Sequence, residues 1–246
     1  MAKDRFSAQS AGYARFRPRY PEAWYQWLLS QTPGRDQLWD CATGNGQAAL
    51  ALAPHFRHTF ATDLSAAQLA AAAPHPAITY LACPAERTPF EAAAFDLITV
   101  AQAVHWFDFE AFYAEVRRVG KPGGLLALWG YGLFSSLPAV DERIRWFYSE
   151  VVGPYWDPER RHLETGLREI PFPFEALHPP QPFHMAYRWT LAELLGYLST
   201  WSSVQRYREA NQEDPMPLIA AELAAIRDLP EQIGVEFPLL IRLGRI

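Results

Sequence analysis

The sequence predicts a single α/β domain built around a seven-stranded, mostly parallel sheet with an antiparallel edge strand. Two observations predict this fold. Short apolar segments alternate with helical segments through the first half of the chain and again near its end, a pattern typical of a sheet with helices on both faces. The chain has 246 residues, half of them apolar, so it is also long enough to bury one large core.

Each predicted element follows from a cap, a breaker or an apolar run. Pro21 suits the first turn of a helix over residues 21–30. Ser65 can cap a helix over residues 66–73, and Gly120 ends a helix over residues 111–119. Further helices are predicted at residues 47–53, 139–152, 158–168, 191–201 and 217–229. Strands are predicted at residues 37–41, 58–62, 77–82, 95–101, 125–129, 184–189 and 235–243, of which the last two form the antiparallel edge.

One domain over residues 1–246 is predicted to have four parts. Residues 1–35 form an N-terminal helix or lid, and residues 36–130 form a core that would bind a cofactor. Residues 131–185 are irregular and rich in proline and aromatic residues, which predicts a helical cap over the sheet. Residues 186–246 complete the sheet. Because such sheets bind ligands beyond the carboxyl ends of their strands, functional residues are expected there.

The composition argues against several classes of protein. There are 27 acidic and 22 basic residues and the net charge is −5, whereas nucleic-acid binders usually carry a basic excess. Two cysteines without a neighbouring histidine cluster predict no metal site and no disulfide framework. No continuous apolar run is long enough to cross a bilayer, so we expect a cytoplasmic protein without a membrane partner. The sequence leaves the oligomeric state open.

A glycine turn follows the first predicted strand and is the strongest sign of a ligand site. Gly44 and Gly46 allow the backbone to approach a ligand closely, and the next helix offers unpaired N–H groups. Asp63 ends the second predicted strand, where a carboxylate can accept hydrogen bonds from both ribose hydroxyls. The alternative is a tight turn with an aspartate that only caps a helix.

Two cofactors compete for this turn. The segment from Gly44 to Ala49 fits the G-x-G-x-x-A fingerprint of dinucleotide sites, which favours NAD. Asp40 lies just ahead of the turn, however, and a carboxylate beside a pyrophosphate would cost about 1 kcal/mol or more in repulsion. The ammonium and sulfonium groups of S-adenosylmethionine would instead be attracted. We therefore expect S-adenosylmethionine. An NAD-dependent oxidoreductase and a cofactor-binding protein without turnover remain alternatives.

The segment from Asp40 to Gly46 resembles the first motif of the class I S-adenosylmethionine-dependent methyltransferases, with Ala42 in place of the first glycine. Asp63 falls at the family's ribose-binding acid, and residues 117–124 resemble its turn before the fifth strand. The resemblance implies a Rossmann-like fold and methyl transfer. A narrower resemblance, to the trans-aconitate-methyltransferase-like branch that methylates small molecules, rests on Tyr13 with residues 17–21, and on residues 102–107 and 197–202.

This resemblance implies roles for individual residues. Tyr13 would close over the methionine part of the cofactor, and Gln102 would lie beside the sulfonium. The adenine would contact the Ala85 backbone and Glu86, although Pro84 stands where related enzymes often have an aspartate. The complete predicted cofactor set is Tyr13, Asp40, Ala42, Gly44, Gly46, Asp63, Leu64, Ala85, Glu86 and Gln102.

The acceptor site is predicted from residues that follow the later strands. His105 is the candidate general base, which a hydroxyl acceptor needs and a carboxylate does not; its alternative role is packing. Arg17 and Arg19 could bind a carboxylate. The aromatic residues predicted to line the pocket are Trp106, Tyr131, Tyr197 and Trp201, whereas Phe107 and Trp129 are assigned to core packing and Glu159, Arg160 and Arg161 to a solvated face. We expect methylation of a small molecule, at an oxygen of an acidic metabolite.

Overall fold

The computed structural model describes residues 16–246, which form an α/β fold around one mixed sheet of eight strands. The strands are β1 (Gln37–Cys41), β2 (His58–Asp63), β3 (Ile78–Ala82), β4 (Phe95–Ala101), β5 (Gly120–Tyr131), β6 (Glu175–Leu177), β7 (His184–Trp189) and β8 (Ile233–Arg245). Their order is β3-β2-β1-β4-β5-β8-β6, and β7 also pairs with β8. The first five strands are parallel, and every pair that includes β8 is antiparallel. The predicted class is confirmed.

The strand count differs from the prediction by one. β6 lies inside the region predicted to be irregular; it has three residues and no fully buried position, so no apolar pattern marks it. β8 is longer than predicted because it pairs with three strands. Residues 233–238 pair with β7, and residues 239–245 pair with β5. Pro238 stands where β8 changes partners, a position that needs no backbone donor.

The α-helices in the described part of the chain are α1 (Glu22–Gln31), α2 (Gln47–Leu52), α3 (Ala66–Ala70), α4 (Phe109–Val119), α5 (Pro138–Trp146), α6 (Arg161–Glu164), α7 (Leu191–Ser199), α8 (Ser202–Asn211) and α9 (Met216–Ala224). The helix predicted at residues 158–168 is instead a 3-10 turn, Pro158–Arg160, followed by the single turn α6. α8 was not predicted. The extended backbone of Trp201 separates it from α7, and sequence periodicity does not reveal one such residue.

Side chains from alternate positions of the central strands enter two apolar clusters, one on each face of the sheet. Leu97 of β4 packs with Trp24 of α1, whereas the adjacent Ile98 packs with Phe112 of α4. Both faces are therefore covered by helices, as parallel sheets require. The sheet thus presents the carboxyl ends of β1 to β4 at one edge of a rigid core.

None of the helices in residues 16–246 combines the length and apolar character needed to cross a membrane. The predicted division into four parts stays a prediction.

Candidate functional site

A cavity of about 340 Å³, called here the main cavity, lies beyond the carboxyl ends of the first four strands. Its wall is formed by the segments that follow these strands, and its lining includes Ala42, Thr43, Gly44, Asp63, Leu64, Ser65, Cys83, Ala85, Glu86, Gln102, Ala103, Trp106 and Phe107. The N-terminal part adds Arg17 and Tyr20, and β5 adds Tyr131. This is the position at which parallel sheets bind ligands.

The glycine turn holds three residues in the left-handed region. The φ angles are 53° at Ala42, 58° at Gly44 and 85° at Gly46. A Cβ atom added to Gly46 would lie 2.9 Å from the hydroxyl of Tyr80, so both conformation and space require glycine there. Ala42 occupies the position of a family glycine and adopts a glycine-like conformation, which costs about 1–2 kcal/mol in a residue with a Cβ.

Asp40 lies beneath this turn, whereas the sequence predicts that it faces the ligand. It is 1% exposed and does not line the cavity. Its Oδ2 accepts hydrogen bonds from Thr43 Oγ1 at 2.5 Å and from the Ala49 N–H at 3.1 Å, and its Oδ1 accepts one from Thr99 Oγ1 at 2.6 Å. Burial raises the pKa of Asp40 to about 6, although these three bonds act to lower it. Asp40 therefore positions the glycine turn. Any electrostatic attraction between its carboxylate and a cationic ligand in the main cavity acts through the cavity wall.

Asp63 does face the main cavity and joins two of its loops. Its Oδ2 accepts a hydrogen bond from the Gly44 N–H, and its Oδ1 accepts one from the Ser65 N–H, both at 2.8 Å. A carboxylate accepts several hydrogen bonds at once, so the position of Asp63 on the cavity wall suits a ligand that carries hydroxyl groups. Leu64 beside it is 46% exposed at the cavity rim.

The loop after β3 brings Ala85 and Glu86 to the cavity, as predicted from the resemblance. Glu86 Oε1 accepts a hydrogen bond from the Asp108 N–H at 3.2 Å. Asp108 in turn caps α4 by accepting a hydrogen bond from the Ala111 N–H. Glu86 is thus fixed against the start of a helix while it lines the cavity.

Gln102 lies at the end of β4 with a left-handed backbone (φ 58°) and lines the main cavity. Its Nε2 donates a hydrogen bond to the Tyr131 carbonyl at 3.1 Å, and its N–H donates to the Trp129 carbonyl at 2.8 Å. Its buried Oε1 has no hydrogen-bond partner within residues 16–246. Such strain and unmet bonding at one residue are typical of ligand sites.

A second, smaller cavity of about 20 Å³, called here the recess, adjoins the main cavity. Both are lined by Arg17, Gln102 and Tyr131, and the recess is completed by Trp156, Arg160, Tyr197, Trp201 and Ser202. Arg17 donates hydrogen bonds to the Tyr131 hydroxyl at 3.2 Å and to the Thr200 carbonyl at 3.5 Å. The structure therefore places Trp106 and Tyr131 on the main cavity and Tyr197 and Trp201 on the recess.

His105 lies behind the cavity wall in the 3-10 turn Val104–Trp106. It is 7% exposed and lines neither cavity. Burial lowers the pKa of His105 to about 3, with smaller contributions from the positive charge of Arg160 and from His162. The imidazole of His105 is therefore neutral and weakly basic near pH 7. Its action as a general base stays a prediction. The predicted contact of Tyr13 lies outside the described residues.

The sequence missed several residues of the site. Glu159 and Arg160, predicted to be on a solvated face, are half-buried and line the main cavity and the recess respectively. The buried Asp157 ahead of them accepts a hydrogen bond from Arg206 at 2.6 Å, which holds this turn against α8. That partner is 49 residues away, so no local pattern reveals it. Phe107 also lines the main cavity, whereas the sequence predicts core packing for it.

Among the described residues, no group of three or more His, Cys, Asp or Glu side chains could hold a metal ion. Cys41 is buried, and this burial raises the pKa of its thiol well above the usual range, so the thiol is not activated as a nucleophile.

Comparison with known proteins identifies relatives of this chain in sequence and in structure. The model of a family described as a methyltransferase domain matches residues 39–128. A protein named as a methyltransferase from Dictyostelium discoideum is 29% identical over 98% of this chain and 95% of its own. An uncharacterized methyltransferase from Mycobacterium tuberculosis is 31% identical over 72% of this chain and 68% of its own. A solved structure described as a type II methyltransferase from Anaeromyxobacter dehalogenans is 43% identical, with a TM-score of 0.84 over 94% of this chain and 98% of its own. These similarities do not favour the oxidoreductase or the protein without turnover.

Proposed function

The chain belongs to the class I S-adenosylmethionine-dependent methyltransferases, and we propose that it methylates a small acidic molecule at an oxygen atom. The observation that carries the proposal is the main cavity. Its volume of about 340 Å³ is in the range of small-molecule sites. One end is formed by the glycine turn and Asp63, and the other by aromatic rings and the guanidinium of Arg17.

The glycine-turn end fits S-adenosylmethionine, which supplies an electrophilic methyl group when it is bound. Asp63 is a carboxylate acceptor suited to ribose hydroxyls, and two backbone N–H groups fix its orientation. Leu64 offers exposed apolar surface for a purine ring, and Ala85 and Glu86 lie on the same wall. Gly44 allows the backbone to approach the ligand closely.

The opposite end would bind and orient the acceptor. Tyr20, Trp106, Phe107 and Tyr131 exclude water from this end and restrict the positions of a small molecule. Arg17 supplies a positive charge that suits an acid, and the net charge of −5 does not favour a nucleic-acid acceptor. A carboxylate acceptor needs no proton removed, which is compatible with a His105 whose pKa is about 3. The trans-aconitate-like branch remains part of this proposal, as does a cytoplasmic location.

A thermal-shift titration tests the cofactor, with S-adenosylhomocysteine and NADH as separate ligands. A ligand at 100 times its dissociation constant stabilises by about 2.7 kcal/mol. In a chain of this size, that raises the midpoint of unfolding by roughly 2–4 °C or more. We expect a shift with S-adenosylhomocysteine alone, lost in Asp63→Ala and kept in Asp36→Ala, a change of an exposed carboxylate. A shift with NADH alone would contradict the proposal.

A second experiment tests the acceptor. The protein is incubated with isotopically labelled S-adenosylmethionine and a panel of small carboxylic acids and phenols, with nucleic acid and unrelated proteins as competing acceptors. We expect label in the small acids only. Label that appears only in nucleic acid or protein would refute the proposed substrate class and leave the methyltransferase assignment intact.

A further inference from the structure

The recess holds two guanidinium groups in a polar space next to the acceptor end of the main cavity. We propose that it binds an acid group of the acceptor between Arg17 and Arg160, and that this group anchors the acceptor while a second group receives the methyl. The inference rests on the proposed function, because it deepens the assignment of the same acceptor. It makes Arg160, which the sequence places on a solvated face, the residue that determines specificity.

The contacts of Arg160 leave its outer nitrogens available to a ligand. Its guanidinium carbon lies 3.9 Å from the centre of the Trp156 ring, and its Nε donates a hydrogen bond to the Tyr148 hydroxyl at 2.9 Å. Within residues 16–246, neither Nη atom has a hydrogen-bond partner, and Arg160 forms no ion pair with a carboxylate. A guanidinium that is stacked and fixed at Nε presents its Nη atoms in a planar arrangement suited to a carboxylate.

The orientation of Arg160 is itself supported. Tyr148, which accepts the hydrogen bond from Arg160, donates one to Glu164 Oε1 at 2.5 Å. The turn that carries Arg160 is held by the ion pair of the buried Asp157 with Arg206. Arg160 is therefore positioned before any ligand arrives, which reduces the entropy lost on binding.

The two arginines act on the same space. Burial raises the pKa of Tyr197, which lines the recess, whereas the positive charges of Arg17 and Arg160 both act to lower it. The electrostatic potentials of both guanidinium groups therefore reach the Tyr197 hydroxyl. An anion placed between them would gain charge-assisted hydrogen bonds in a site mostly removed from water.

The size of the recess decides which part of the acceptor it takes. A volume of about 20 Å³ holds little more than one water-sized group, since a single water needs roughly 10–15 Å³. A carboxylate head fits, and the rest of the molecule must extend past Gln102 and Tyr131 into the main cavity. The methylated atom therefore belongs to a second group. The acceptor class is a small acid with a further nucleophilic group.

The test measures acid binding to protein saturated with S-adenosylhomocysteine, by calorimetry at fixed ionic strength. The probes are succinate, glutarate and adipate, each with its monoamide and its diamide. We expect the diacids and monoamides to bind and the diamides not to bind. Arg160→Gln should weaken acid binding by about tenfold to hundredfold, with unchanged S-adenosylhomocysteine affinity. Arg161→Gln, which changes an exposed arginine one residue away, should change neither.

Three results would overturn the inference: no acid binds at 10 mM, Arg160→Gln binds acids as well as the unchanged protein, or Arg161→Gln loses as much affinity. A further test uses catalysis with S-adenosylmethionine. Succinamate has one carboxylate, which the recess would hold, so succinamate should bind without being methylated. Formation of its methyl ester would show that the anchored carboxylate is itself the reactive group, which contradicts the inference. Failure of S-adenosylhomocysteine to bind refutes the proposed function itself, and so is distinguishable from these results.

Discussion

The two ends of the main cavity are built in different ways. The glycine-turn end is held by contacts within the turn and between neighbouring strands: Asp40 bonds Thr43 and Ala49, which lie within ten residues of it, and Thr99 on the adjacent strand β4. Asp63 follows the other adjacent strand and bonds the turn at Gly44. The acceptor end joins Arg17 to Tyr131 and Arg160, both of which lie more than a hundred residues later in the chain. At the glycine-turn end, the contacts that hold the turn are buried beneath the cavity wall. The acceptor end is a set of side chains brought together by tertiary packing, so changes there should affect binding more than stability.

Asp40→Ala should have the largest effect on stability. It leaves the hydroxyls of Thr43 and Thr99 and the N–H of Ala49 without their acceptor in the core. An unsatisfied buried donor costs about 1–3 kcal/mol, so we expect a loss of about 3–5 kcal/mol of unfolding free energy in urea titrations. Asp40→Asn keeps an acceptor for Thr43 and Ala49 and should lose much less. A cost for Asp40→Ala no greater than that for Arg160→Gln would break the comparison of the two ends.

Two buried groups behind the walls of the main cavity, His105 and Asp40, should respond to pH with opposite sign. The pKa of His105 is lowered to about 3, so between that pH and about 6.5 the unfolded chain binds a proton that the folded chain does not. Stability supplied by the neutral His105 is therefore present above pH 6.5 and is lost as pH falls. The pKa of Asp40 is raised to about 6, so its effect is reversed, and stability is lost as pH rises from about 4 to 6.

Substitution separates these two contributions. The unfolding free energy of His105→Asn should fall less between pH 7 and pH 4 than that of the unchanged protein, by about 2–3 kcal/mol. That of Asp40→Asn should fall more over the same range, because the opposing contribution is removed. Parallel pH profiles for all three proteins would show that neither group titrates differently in the folded state.

Gly46→Ala tests space and conformation together at the glycine turn. The left-handed φ costs about 1–2 kcal/mol in alanine, and the contact with the Tyr80 hydroxyl adds to this cost. Gly123→Ala is the matched control, because its φ is 79° and nothing lies within 4 Å of the added Cβ. We expect Gly46→Ala to lose more unfolding free energy than Gly123→Ala, with part of the difference recovered when Tyr80→Phe is added. Equal losses would mean that the turn has room for a side chain.

Ala42→Gly should have the smallest effect and the opposite sign. Glycine adopts φ near 53° without steric cost, although it loses more chain entropy on folding. The net gain should be about 0.5–1 kcal/mol in chemical unfolding. A loss of stability would indicate that the methyl group of Ala42 packs in a way that outweighs its backbone strain.

The same contrast explains how much could be predicted from the sequence. The glycine turn with Gly44 and Gly46, and Asp63 at the end of the next strand, could be located because one strand, one turn and one helix form their setting and each leaves a local pattern. Their contacts with a cofactor stay a prediction. The place of Asp40 beneath the turn could not be predicted, because sequence spacing does not tell whether a side chain points toward a cavity or beneath it. Arg160 was missed because the ion pair that holds its segment joins Asp157, just ahead of the 3-10 turn, to Arg206 of α8, which lies 49 residues later. β6 and the start of α8 depend on tertiary partners in the same way.

The long last strand has a consequence for how the protein is made. β8 covers the outer edge of β5, the strand that carries Tyr131 into both cavities. During synthesis, β5 leaves the ribosome more than a hundred residues before β8 does. In that interval its backbone groups form an open edge on which other nascent chains can add. Protection of this edge against aggregation therefore depends on the synthesis of β8.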